Sequence, residues 1–147
     1  MIKYLERIPL DVIALMARLA LAGVFIKSGL TKVVIDGASI EFSGSIQYLF
    51  EQEYMVPLLP WKVAAMLATS AELLIPPLLV IGLATRFGAL ALLAMTAVIQ
   101  LFVYPAAWDT HLTWATALVF LMAYGPGTLS LDYLIRRPSG NTNSVGG

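Results

Sequence analysis

Apolar residues fill four stretches of this chain, near Val12–Ile35, Trp61–Leu83, Phe87–Tyr104 and Ala107–Tyr124, and polar residues gather in the gaps between them. Each stretch approaches the ~20 helical residues that cross a hydrocarbon core. The pattern predicts an all-α membrane protein, a bundle of four transmembrane helices. Ala84-Thr85-Arg86 is too short a gap for anything but an antiparallel hairpin between the second and third spans, and Pro105 and Asp109 mark the other tight turn. Asp36 to Pro60 is too polar to cross, yet Ile46, Leu49, Phe50 and Tyr54 fall at helical spacing. A short extracytoplasmic amphipathic helix between spans one and two is expected there. Gly125-Pro126-Gly127 stops the fourth span. Ser139–Gly147 reads as a disordered tail, leaving residues 1–138 as a single transmembrane domain.

Steps of three and four set Ala14, Arg18, Ala22, Phe25, Gly29 and Lys32 on one face of the first helix, and Ala64, Ala68 and Glu72 on one face of the second. Small residues let helices approach closely, so both stripes are expected to face inward and carry their charges with them. At ~1.5 Å per residue, Glu72 falls near the midplane, within reach of the long Arg18 side chain, and Lys32 lies further out. Arg18 and Glu72 then either neutralise one another as an ion pair or leave Glu72 to a ligand. In the third span Thr96, Gln100 and Tyr104 form a polar line, and His111 opens the fourth at similar height. The functional reading joins these residues with Lys32, Glu72 and Asp109 in one pocket in the outer half of the membrane, its ligand-binding candidates being Lys32, Glu72, Gln100 and His111. Interhelical hydrogen bonds for Gln100 and Thr96 and an interfacial place for His111 are the plainer one. Pro76-Pro77 is expected to kink the second helix just past Glu72, and Lys27, half a turn from Arg18, to snorkel outward.

Composition narrows the chemistry. The chain is 59% hydrophobic with no net charge and a mean hydropathy of +0.83, so an ionisable side chain inside a span is costly and a functional candidate. Its nine basic residues form no run, which excludes a nucleic-acid footprint. Absence of cysteine removes disulfides, thiol relays, iron-sulfur ligation and covalent haem. With one histidine no metal site is expected; a soft ion on His111 with Met55 or Met95 is the minor alternative. Lys3 and Arg7 precede the first apolar run as in a signal peptide, but Arg18 interrupts it, so an uncleaved span is expected. Lys3, Arg7, Arg86, Arg136 and Arg137 fall on one side, whereas Lys62 stands among Asp36, Glu41, Glu51, Glu53 and Asp109 on the other. Both termini are expected in the cytoplasm, and Trp61, Tyr104, Trp108 and Trp114 in an outer aromatic belt.

Arg18, the run Phe25-Ile26-Lys27-Ser28-Gly29-Leu30-Thr31-Lys32, Ala71-Glu72-Leu73-Leu74, Gly82-Leu83-Ala84-Thr85-Arg86, and Gly125-Pro126-Gly127 with Leu129-Ser130-Leu131-Asp132 occur in that order. In this, from Asp11 to Ile135, the chain resembles the DoxX family of small bacterial integral membrane proteins. The resemblance implies a four-helix bundle in the inner (cytoplasmic) membrane, with motif positions at Arg18, Gly29, Lys32, Glu72, Arg86, Gly125, Gly127 and Asp132. It implies a redox or envelope-stress setting, quinone-linked in some relatives and thiol-linked in others; a chain without cysteine does not itself exchange thiols. An Arg86–Asp132 ion pair closing the cytoplasmic end is expected. Three functions are open. The first is an accessory protein, at most a subunit of a quinone-linked oxidoreductase, with no intrinsic cofactor and a quinone or similar polar-headed ligand in its pocket. The second is a non-catalytic subunit or assembly factor, docking a membrane or periplasmic redox protein or a second copy of the chain. The third is a small-solute carrier or channel. The lipid bilayer is a partner in all three.

Overall fold

The computed structural model describes residues 8–37, 39–54, 56–57 and 59–137. Lys3, Arg7, Met55 and the tail expected at 139–147 lie outside the described residues. Four long helices carry the fold: α1 (Leu10–Leu30), α3 (Trp61–Ile81), α4 (Thr85–Val98) with a π-helical continuation (Ile99–Val103), and α5 (Trp108–Tyr124). α1 and α3 each begin directly after a proline, Pro9 and Pro60, whose fixed φ delivers an extended residue into the first turn. α3 ends at Gly82, left-handed at φ 70°, where its final carbonyls find N–H partners. The next residue but one, Ala84, is also left-handed at φ 50° and tightens the turn into α4.

Neighbours close into a ring: α1 packs on α3, α3 on α4, α4 on α5, and α5 back on α1. Leu21, Phe25, Leu79, Leu92, Leu118 and Leu121 fill the middle. Outward faces are apolar as well, with Met16, Leu67, Leu74 and Phe87 more than half exposed. Such a coat suits lipid rather than water. Two helical stretches, Trp61–Ile81 and Thr85–Val103, have the length and composition to cross a membrane. The other two of the four expected crossings are less apolar or shorter: α1 carries Asp11, Arg18 and Lys27, and α5 has 17 residues. What stands at this level is a helical, membrane-associated protein.

The first helix ends at Leu30, five residues before the expected limit of Ile35. Val33-Val34-Ile35 is β-branched and extended by preference, and it pairs as β1 (Val33–Asp36) with β2 (Ser39–Phe42), Val33 opposite Phe42. Lys32 therefore stands in the turn beyond α1, its backbone N–H on the Gly29 carbonyl at 3.0 Å. Further on, α2 (Ile46–Tyr48) runs into a π-helical turn (Leu49–Tyr54). Ile46 and Phe50 bury themselves against Ala64 and Ala65 of α3. A final short helix, α6 (Leu131–Arg136), buries none of its residues.

Candidate ligand-binding site

Periodicity aims the charges inward. Ala14, Arg18, Ala22, Phe25 and Gly29 are all buried on α1, and Ala64 and Glu72 on α3. At the crossing, a Cβ on Gly29 would stand 2.8 Å from Leu73 Cδ2 and 3.0 Å from Glu72 Cβ, so only glycine permits this approach. The close backbones bring Lys32, one turn past Gly29, onto Glu72: Nζ donates to Oε2 at 2.7 Å, with both side chains under a tenth exposed. It is the only ion pair among the described residues. Ser28 completes the cluster. Its hydroxyl donates to Glu72 Oε1 at 3.0 Å and accepts from Lys32 Nζ at 3.0 Å, while its carbonyl accepts from the same ammonium at 3.2 Å. All three ammonium hydrogens are thus taken. Four residues separate Ser28 from Lys32, a spacing readable as one helix face, but Ser28 was not among the expected site residues.

Arg18 does not meet Glu72. Its guanidinium caps backbone carbonyls at the other end of the ring: Nη1 donates to Pro126 O and Leu129 O at 2.8 Å each, and Nη2 to Val80 O at 2.9 Å. Val80 O lies in the last turn of α3, where carbonyls go unpaired, and Pro126 O and Leu129 O lie in the loop between α5 and α6; the three converge on one buried fork, so the expected Arg18–Glu72 pair does not form. Arg86 and Asp132 do not pair either. Asp132 accepts from the N–H groups of Ala84 at 2.8 Å and Thr85 at 2.9 Å, where α4 begins, while Arg86 Nη2 donates to Ala123 O at 3.3 Å. Burial works to raise the Asp132 pKa, but the N–H donors of Thr85 and Ala84 outweigh it and hold the carboxylate below its ordinary 3.8. Asp11 likewise accepts from the Thr128 hydroxyl and N–H, at 2.6 and 2.8 Å.

His111 and Gln100 form a second polar unit. Pro105 O can only accept, so Gln100 turns Nε2 to it at 2.8 Å and presents Oε1 to His111 Nδ1 at 2.6 Å. An amide oxygen also only accepts, hence Nδ1 carries a hydrogen and Nε2 remains as the ring's other nitrogen. Among the described residues Nε2 has no hydrogen-bond partner. Gln100 owes its direction to the π-helical end of α4; Thr96 spends its hydroxyl on Leu92 O in its own helix, at 2.7 Å. Asp109 is exposed at the start of α5.

Between the two units lies a cavity of about 440 Å³. Lys32, Glu72, Ser28 and His111 line it, with Gln100 behind His111. Alanines at 64, 68, 71, 91 and 94 leave the room, and Trp114 lies against Phe25, ring centroids 5.5 Å apart. Both π-helical turns reach its wall, through Phe50 and Tyr54 and through Ile99 and Val103. Tyr54 meets Tyr104 edge to face at 5.8 Å. Burial and, after it, the Tyr104 hydroxyl push the Tyr54 hydroxyl pKa up. Among the described residues no cluster of three or more His, Cys, Asp or Glu side chains is placed to hold a metal ion.

The sequence model described as DoxX matches residues 13–105. No curated protein and no solved structure matches the chain at a significant level.

Proposed function

Since the chain belongs to the DoxX family, we propose that it is an accessory membrane protein of a redox or envelope pathway that holds a small lipophilic ligand with a polar head, a quinone being the fitting class. The observation that carries this is the cavity of about 440 Å³, apolar over most of its wall and polar at Lys32, Glu72, Tyr54 and His111. That volume falls in the range of small-molecule sites. A planar ring fits beside Phe25 and Trp114; a quinone carbonyl would accept from the Tyr54 hydroxyl, and a hydroxyl of the reduced ring would donate to His111 Nε2, since the ammonium of Lys32 is already engaged. Glu72, tied to Ser28 and Lys32, holds a fixed charge next to the ligand. A bound quinone would supply two-electron, two-proton chemistry; this chain binds, orients and excludes water.

In the same reading all four long helices cross the bilayer. Arg86, Arg136 and Arg137 then mark the cytoplasmic end and the Lys32–His111 end faces outward, with both termini inside. A membrane or periplasmic redox protein is the partner that would exchange electrons with the ligand. Against a through-channel stands the opposite end, where Arg18, Asp11 and Asp132 fasten the backbone and Leu79, Leu92 and Leu121 fill the middle.

The test is extraction of the full chain in mild detergent, assay of co-purified quinone, and thermal denaturation with a short-chain quinone analogue. Bound quinone, or a melting temperature raised by the analogue and not raised in His111→Ala, is the expected result. Protein that carries no quinone and ignores the analogue overturns the reading.

A further inference from the structure

Arg86 is exposed and makes no ion pair among the described residues. Its guanidinium lies against Gly125, where an added Cβ would stand 3.4 Å from both Nε and Nη2, and its one hydrogen bond, to Ala123 O, is long at 3.3 Å. Gly125 itself is at φ 88°, a conformation that a side chain resists. This fork fronts a hollow of about 240 Å³ at the Gly82–Gly125 end, lined also by Arg136, Tyr124 and Tyr133. Two carboxylates share that lining, Asp11 and Asp132. Each accepts hydrogen bonds elsewhere: Asp11 from the N–H and hydroxyl of Thr128, Asp132 from the N–H groups of Ala84 and Thr85, with Arg136 close enough to add a Coulomb attraction to Asp132. Neither makes an ion pair with either arginine among the described residues.

We infer that Arg86 and Arg136, with the hydroxyls of Tyr124 and Tyr133, form a binding site for a phosphate group, filled in the membrane by the headgroup of an anionic phospholipid. Guanidinium forks match phosphate oxygens two at a time. The neighbouring chain suits a lipid: Leu129, just before α6, and Leu134 and Ile135 within it are 60%, 59% and 70% exposed. Acyl chains would lie along α6 while the phosphate sits between the arginines, the arrangement by which basic pockets at the ends of membrane helices take lipid headgroups. A zwitterionic headgroup brings a cation of its own to two guanidiniums, which favours an anionic lipid.

The full chain in neutral detergent is given phosphatidylglycerol, phosphatidylcholine or inorganic phosphate, and bound species are counted by native mass spectrometry alongside thermal melting. Phosphatidylglycerol should be retained about tenfold over phosphatidylcholine, the worth of roughly one hydrogen bond to a charged group. Arg86→Gln and Arg136→Gln should each erase that preference, and Arg86→Lys, which keeps the charge but not the fork, should restore part of it. Unchanged circular dichroism verifies that the variants are folded. Inorganic phosphate that raises the melting temperature of the unaltered chain but not of Arg86→Gln, without any lipid preference, supports the site and assigns it to a soluble phosphate source. Equal retention of both lipids with no response to phosphate, or a preference that survives both glutamine variants, overturns the inference.

Discussion

The two ends of the helix ring bury charge in opposite ways. At the Gly82–Gly125 end, charged side chains serve the backbone: Arg18 collects the carbonyls of Val80, Pro126 and Leu129, and Asp132 collects the N–H groups that open α4. At the Lys32–His111 end, charged side chains serve one another beside unfilled space. A charge spent on peptide groups fastens loops that a membrane would otherwise leave unsatisfied. A charge spent on another side chain can be released when something else arrives. The first end fastens its own loops, and the second keeps its paired charges beside a cavity.

The widest separation between the ends should come from Arg18→Leu. It strands three part-buried carbonyls, each bonded to a charged donor, and at the low end of ~1.5–3 kcal/mol apiece the loss is about 5 kcal/mol; chemical denaturation in detergent measures it, and a loss below about 1 kcal/mol would show that the fork is dispensable. Next comes the ion pair. Glu72→Leu leaves the Lys32 ammonium buried without its counter-charge, at a cost of about 3 kcal/mol, whereas the double variant Lys32→Met with Glu72→Leu should recover most of it. Full additivity of the two single losses would mean that the pair is not the functional unit described.

Acid should loosen the Gly82–Gly125 end in a defined sense. The folded-state pKa of Asp132 lies below its ordinary 3.8, so the stabilisation is complete above that value and is lost as the pH falls through the lower, folded one. A melting temperature followed from about pH 5 downward should fall, and fall less in Asp132→Asn, which has already lost the charge. The smallest stability change is expected at the cavity end: Ala68→Leu fills cavity space and should shift unfolding by no more than about 1 kcal/mol, while abolishing any response to the quinone analogue.

Much of this was legible in the residues, and what was not has a common cause. Helical spacing alone set Arg18, Gly29 and Glu72 inward, because one buried stripe is all that a ring of helices requires. Partner choice was illegible. Arg18 prefers peptide carbonyls, which every residue carries and no sequence displays, and Asp132 prefers N–H groups for the same reason. Lys32 was placed on the helix face when it stands in the turn beyond, since Val33-Val34-Ile35 reads equally as the end of a span or as a strand. The Asp36-Gly37 pair was the available sign of a hairpin: Gly37 takes φ 57° there. Neither π-helical turn has a sequence signature, yet those turns place Tyr54 and Gln100.

Gly29, the closest approach of α1 to α3, has a consequence for selectivity. Lipid tails are as apolar as the alanines that floor the hollow, so a lipophilic guest gains almost nothing from leaving the acyl phase for this protein. Recognition must then come from the few atoms that hydrocarbon lacks, and the backbone contact at Gly29 fixes the spacing of half of them. A single methyl added there would leave the chamber open and greasy but blind to what enters it.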